Sequence, residues 1–80
     1  MVRVLLFAQA SAIAGTDSCD WPIAGPCGVS EFWGWLLRLY PDLAALREVC
    51  RLACNGEYLE ADGLIFSGDE LAVIPPVSGG

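Results

Sequence analysis

The chain has 80 residues, 55% of them apolar, with three tryptophans, two tyrosines and three phenylalanines. That composition excludes a disordered segment, and the length excludes more than one domain or an enclosed catalytic cavity. Ten acidic side chains stand against four basic ones for a formal charge of −6, and there is no histidine. All four basic residues are arginines: Arg3, Arg38, Arg47 and Arg51. Nothing in such a sequence forms a cationic patch that would release counterions from a phosphate backbone, so nucleic acid is not an expected partner. A basic protein surface is the better match. Without histidine or lysine, the commonest general base and all Schiff-base chemistry are missing. The expectation is a chain that does not carry a catalytic centre of its own.

Residues 1–15, MVRVLLFAQASAIAG, imitate a secretory signal. The uninterrupted apolar run is only Val4–Ala8, short of the roughly 7–15 residues of a signal core, and it reads better as a strand. No stretch approaches the roughly 20 apolar residues of a membrane span, so neither membrane nor secretion is expected, and the cytoplasm is. Val2–Ala8 is apolar at both alternating positions, which predicts a central strand covered on both faces. Residues 10–18 are small and polar and read as a loop, with Gly15 free to take a positive φ. In 19–27, CDWPIAGPC, Pro22 and Pro26 allow only a short or edge strand.

Ser30 offers a helix N-cap, and Glu31 suits the positive end of the helix dipole. Val29, Phe32, Leu36 and Leu39 then follow helical spacing, with Trp33 and Tyr40 beside them, until Pro41 stops the helix. Gly34 weakens the helix and is expected to let it approach the sheet. Asp42 caps a second short helix running to about Arg47. Val49–Cys54 and Glu57–Leu59 flank Asn55-Gly56, the strongest short hairpin signal, because a type I′ turn needs positive φ at both positions. Asp62-Gly63 and Gly68-Asp69 mark further turns. Leu71–Ile74 is a last buried strand, expected to lie beside the first in the middle of the sheet. Pro75-Pro76 cannot extend a central ladder, so residues 75–80 are expected to leave a 1–74 domain as an extended, flexible arm. One main helix on one face of a mixed sheet is an α+β roll.

The four cysteines are spaced C-x7-C (Cys19, Cys27) and C-x3-C (Cys50, Cys54), neither of them a redox C-x-x-C or zinc-knuckle pattern. Cys50 and Cys54 would point to one face of a strand and read as reduced, buried small hydrophobes. Cys19 and Cys27 are left open. If the chain were secreted, all four would staple a small binding module.

Three stretches carry a resemblance: VRVLLFAQA at the start, NGEYLEAD after the hairpin turn, and above all SGDELAVIPPVSGG at the end. They resemble the small subunit of molybdopterin synthase, of the ubiquitin-like β-grasp sulfur carriers, collinearly over most of the chain. SEFWGWLLRLYPDL fits as the helix, and the departures lie between Thr16 and Val29. The resemblance implies a β-grasp fold and a function at Gly80, whose carboxylate is adenylated, converted to a thiocarboxylate and used to donate sulfur to cyclic pyranopterin monophosphate. It implies Gly79 as the second glycine of a thread without Cβ atoms, and Pro75, Pro76, Val77 and Ser78 as the partner-bound arm. Phe7, Leu59 and Ile74 are expected to form an apolar docking patch near that arm. The implied partners are the large synthase subunit, which holds the catalytic pocket of a heterotetrameric enzyme, a ubiquitin-activating-type adenylating enzyme that uses ATP and magnesium, and a sulfurtransferase. The chain itself is expected to bind no cofactor or metal. Carriers for the thiamin thiazole or for tRNA thiolation share Gly-Gly and the fold, and are the alternatives.

Overall fold

The computed structural model describes residues 1–76. Its elements are β1 (Val2–Leu6), α1 (Ala8–Ala14), β2 (Ser18–Trp21), β3 (Cys27–Gly28), α2 (Val29–Leu39), a 3-10 helix (Pro41–Leu46), β4 (Arg51–Cys54), β5 (Glu57–Tyr58), β6 (Leu64–Ile65) and β7 (Glu70–Ile74). Five strands form one mixed sheet in the order β2-β1-β7-β4-β5, and β3 pairs with β6 in a separate two-stranded ladder. The first and last strands lie side by side and parallel, Val4 opposite Leu71 and Leu6 opposite Val73. Flanking pairs are antiparallel, so β1 and β7 are both internal strands, as their apolar content predicts.

Alternation decides which side chains enter the core. Val2, Val4 and Leu6 of β1, Leu52 of β4, and Leu71 and Val73 of β7 are buried on the inner face, beneath Phe32, Trp33 and Leu36 of α2. Among the described residues no helix covers the outer face: Arg3 is exposed, and Leu5, Ala72 and Ile74 are half-buried. The expectation of a first strand covered on both faces is therefore corrected. With one main helix there is only one layer to pack against the sheet.

Helix α2 begins at Val29 rather than after Ser30. Glu31 Oε1 accepts a hydrogen bond from the Gly28 N–H at 3.2 Å, which makes Gly28 the cap and leaves Ser30 exposed in the first turn. The helix ends at Leu39, with Tyr40 as its cap before Pro41. Leu39 is 51% exposed, so the apolar stripe that buries is Phe32, Trp33 and Leu36. Trp35 flanks it, stacked on Trp21 at 5.6 Å with the rings 26° apart, while Phe32 meets Trp21 edge-on at 5.3 Å. Gly34 is exposed, and a Cβ built there meets nothing within 4 Å, so it permits no close approach. Pro41 itself opens the 3-10 helix, and Asp42 lies in its first turn rather than capping it.

Residues 10–18, expected to be a loop, contain most of α1 and the start of β2. Four of the seven residues of α1 are alanines, the best helix former, and Ala10 is buried in the core. Gly15 closes the helix in the left-handed region at φ 76°. Val2, Val4 and Leu6 of β1 and Ala10 of α1 all enter the core, so both elements are part of the packed domain. The Asn55-Gly56 turn has φ of 52° and 87°, pairing Cys54 with Glu57 and Ala53 with Tyr58. Strand β4 starts later than expected because the Val49 and Cys50 N–H groups still donate to Leu46 O, at 3.1 and 2.9 Å. Cys50 therefore precedes the strand, and both it and Cys54 pack against the core.

Candidate functional site

On the open face of the sheet the outward positions are Arg3 and Leu5 of β1, Arg51 and Ala53 of β4, Tyr58 of β5, and Glu70, Ala72 and Ile74 of β7. The register puts Ala53 opposite both Ala72 and Tyr58, and Leu5 opposite Ala72. Two alanines facing each other across the central strands make a low floor, and Tyr58 and Phe7 rise at either side. The result is a mostly apolar groove of about 390 Å³. Phe7 is 46% exposed and directly follows β1, its N–H donating to Val73 O at 3.3 Å. Ile74 ends β7. The groove thus runs along β7, from Glu70 and Gly56 at one end to Phe7 and Ile74 at the other.

Phe7 and Ile74, expected to share a patch, line this groove together. Leu59 does not belong to it, which corrects that part of the expectation. Leu59 follows β5, its N–H donating to Leu52 O at 2.8 Å, and its side chain lies over Gly63 and packs against the core. It lines a second pocket, of about 370 Å³, between α2 and the β4–β5 edge. Tyr58 is the wall common to both. Leu5, Ala53, Tyr58 and Ala72 were not singled out from sequence. The signal for them was the period of two, because each lies two residues along the strand from, or directly across from, a residue already on that face.

Of the expected arm, Pro75 is buried and Pro76 is exposed. Val77, Ser78, Gly79 and Gly80 lie outside the described residues. At the opposite end of β7, Asp69 holds the strand's entry. Its Oδ2 accepts from the Phe66 N–H at 2.8 Å and its Oδ1 from Asn55 Nδ2 at 3.0 Å, while Asn55 Oδ1 accepts from the Glu70 N–H at 2.9 Å. These bonds to the charged form, the Phe66 N–H first, hold the Asp69 carboxyl below its ordinary value. The same Oδ2 accepts from Cys54 Sγ at 3.4 Å. Burial, followed by that hydrogen bond and the Asp69 charge, pushes the Cys54 thiol up to about 11. Burial raises Cys19, Cys27 and Cys50 too, and all four thiols are half-buried and unpaired. They are poor nucleophiles, and the pairing a stapled secreted module needs is not formed.

Residues 4–80 match the ThiS family. The chain belongs to the ThiS family. The match takes in Gly79-Gly80. Among relatives, the molybdopterin synthase sulfur carrier subunit of Dictyostelium discoideum is 40% identical, over 98% of this chain and 94% of its own length. That of Homo sapiens is 37% identical, over 99% of this chain and 93% of its own length. The crystal structure of the small archaeal modifier protein 1 of Haloferax volcanii superposes with a TM-score of 0.86 at 28% identity, covering 99% of this chain and 98% of that one. A subunit 1–subunit 2 complex of the molybdopterin-converting factor from Helicobacter pylori shares the fold, with a TM-score of 0.68 at 22% identity. The ThiS-family chain is thus a ubiquitin-like β-grasp domain, and its curated relatives are named molybdopterin synthase sulfur carrier subunits. Among the described residues no helix is long and apolar enough to cross a membrane.

Proposed function

We propose that this chain is the sulfur-carrying subunit of a cytoplasmic molybdopterin synthase, and that Gly80 is the point of attachment. A carboxylate is a poor electrophile. In this reading a ubiquitin-activating-type enzyme, using ATP and magnesium, joins the Gly80 carboxylate to AMP and releases pyrophosphate. A sulfurtransferase persulfide then attacks the acyl carbon, AMP leaves as the acyl–oxygen bond breaks, and a thiol reductant cleaves the resulting acyl disulfide to leave the thiocarboxylate. Inside the large synthase subunit that sulfur passes to cyclic pyranopterin monophosphate. The role of this domain is presentation. Gly79 and Gly80 have no Cβ and fit a narrow channel in any backbone conformation, and Pro75-Pro76 reduce the entropy lost when the arm is ordered. The groove of Phe7, Ala72 and Ile74 provides an apolar face for docking beside the point of departure.

The observation that carries this reading is a family match that runs through residue 80, joined to relatives named as molybdopterin synthase sulfur carrier subunits at up to 40% identity over nearly their full length. Mass spectrometry after incubation with the adenylating enzyme, ATP and a sulfur donor tests it. The expected product is heavier by the difference between one sulfur and one oxygen, and deletion of Gly80 abolishes the gain. An unchanged mass with the complete system would sink the proposal. The likeness to a small archaeal modifier protein favours, as a second reading, transfer of the activated terminus to an amine of another protein. The same spectra would then show amide-linked conjugates. This chain has no lysine, so no copy accepts another through a side chain.

A further inference from the structure

The pocket that holds Leu59 has a floor of Val29, Trp33, Leu52 and Leu59, and Trp33 and Leu52 belong to the buried core. Its mouth carries the exposed side chains of Arg47 and Arg51, half of the cationic residues of a chain with formal charge −6. Arg51 lies with its guanidinium carbon 3.9 Å from the centre of the Tyr58 ring. The flat guanidinium is steadied by that ring while its N–H edge stays available for a planar acceptor. Among the described residues neither Arg47 nor Arg51 has a carboxylate within ion-pair distance. The ion pair that forms, Arg3–Asp20 at 3.4 Å, lies on β1 and β2, toward the other edge of the sheet. The pocket also meets the apolar groove: Tyr58 walls both, and Arg51 is the register partner of Ile74, the last residue of β7.

The geometry points to a second docking site at Arg47 and Arg51, a local exception to the basic partner surface that the overall charge of −6 favours, which takes an acidic segment of the large synthase subunit, an apolar side chain in the pocket with carboxylates on the two guanidiniums. This rests on the reading of the chain as a synthase subunit and adds where, and by what chemistry, the partner is oriented. The apolar floor excludes water from an aliphatic or aromatic anchor, and the arginines bind carboxylates through paired N–H donors. A polyphosphate is the poorer occupant. The apolar floor offers a phosphate nothing, whereas it accepts an apolar side chain that neighbours an acidic segment's carboxylates. Two contacts at an angle, one on the sheet face and one at its β5 edge, would fix the rotation of the domain about its arm. A single apolar face leaves that rotation loosely determined.

The test is titration calorimetry of the purified large subunit into the full-length chain, at low and at physiological salt. Arg47→Gln and Arg51→Gln are each expected to weaken binding about tenfold, with a smaller loss at the higher salt. The double variant is expected to show a distinctly shallower dependence on salt than the wild type. Arg38→Gln removes the same charge from a residue that lines neither pocket and is expected to bind as the wild type does. Thermal unfolding of each variant separates lost affinity from lost folding, and Arg47→Gln leaves the Arg51–Tyr58 contact intact. Wild-type affinity in the double variant overturns the proposal. So does weakened binding with an unchanged salt dependence, which would assign the arginines to packing. A wild-type chain that does not bind the large subunit overturns both this site and the subunit reading beneath it, whereas failure of the site alone leaves wild-type binding in place.

Discussion

The two faces of the sheet are built from the same strands and nearly the same residue types, yet they do different work. On the inner face, Val4, Leu6, Leu71 and Val73 are each at most 2% exposed beneath α2. On the outer face, Leu5, Ala53, Ala72 and Ile74 alternate with them one residue out of phase and remain half-buried, with no helix among the described residues packed above. Apolar content therefore does not distinguish stability from recognition. What distinguishes them is whether another layer of the same chain covers the side chain. The inner face contributes the folding free energy, and the outer face, with Phe7 beside it, keeps its apolar surface for something else.

That comparison can be broken by mutation, and the largest effect is expected inside. Phe32→Ala should cost about 3–5 kcal/mol, because a fully buried ring in contact with Trp21, Trp33 and Trp35 leaves a cavity the aromatic cluster cannot close. Urea denaturation followed by tryptophan fluorescence reads this directly, and a loss under 1 kcal/mol would show the helix–sheet layer to be loosely packed. Next comes Asp69→Asn, expected to cost about 1 kcal/mol at neutral pH after allowance for the exposure of the carboxylate. Because the folded state depresses the Asp69 carboxyl, its contribution is complete above the unfolded value of about 3.9 and fades as pH falls through the lower folded value. Acid titration of stability should therefore be shallower at its low-pH end in the variant. An identical acid limb would remove Asp69 from the account.

A gain of about 0.5–1 kcal/mol is expected from Gly34→Ala, since the added Cβ enters open space and the unfolded chain loses freedom. A rise in melting temperature checks it. Phe7→Ser on the open side should change stability by about 0.5 kcal/mol or less, as a half-exposed side chain outside the inner core. It should nevertheless lower the rate of thiocarboxylate formation or transfer when partners are supplied. If Phe7→Ser unfolded the domain as Phe32→Ala does, the division between the two faces would be wrong.

Much of this arrangement is legible in the residues, for local reasons. Asn55-Gly56 specifies a type I′ turn because few other pairs tolerate two successive positive φ values, and the structure places both there. Pro41 stops α2 because the residue before a proline is pushed out of the helical region. β1 and β7 were expected at the centre because few sites other than internal strands accept so many aliphatic residues in so short a run. Pro-Pro-Val-Ser-Gly-Gly carried the family resemblance, a matter of motif rather than of packing.

The remainder was decided by tertiary contact. Seven residues of Ala8–Ala14 are too few to hold a helix alone in water, and their small side chains read equally as loop; Ala10 entering the core settles it. The β3–β6 ladder is two residues long on each side, below any periodic signal, and exists because the chain brings Cys27 opposite Ile65. Leu39 and Leu59 fit apolar patterns as well as their neighbours do, but one ends on the surface and the other beside Arg47 and Arg51. By itself the sequence determined which segments turn, which lie innermost, and that Gly80 is the residue to examine, because those properties reside in single residues or short motifs. Only the folded sheet decided which apolar side chains remained uncovered, because that depends on what the rest of the chain has left to place above them.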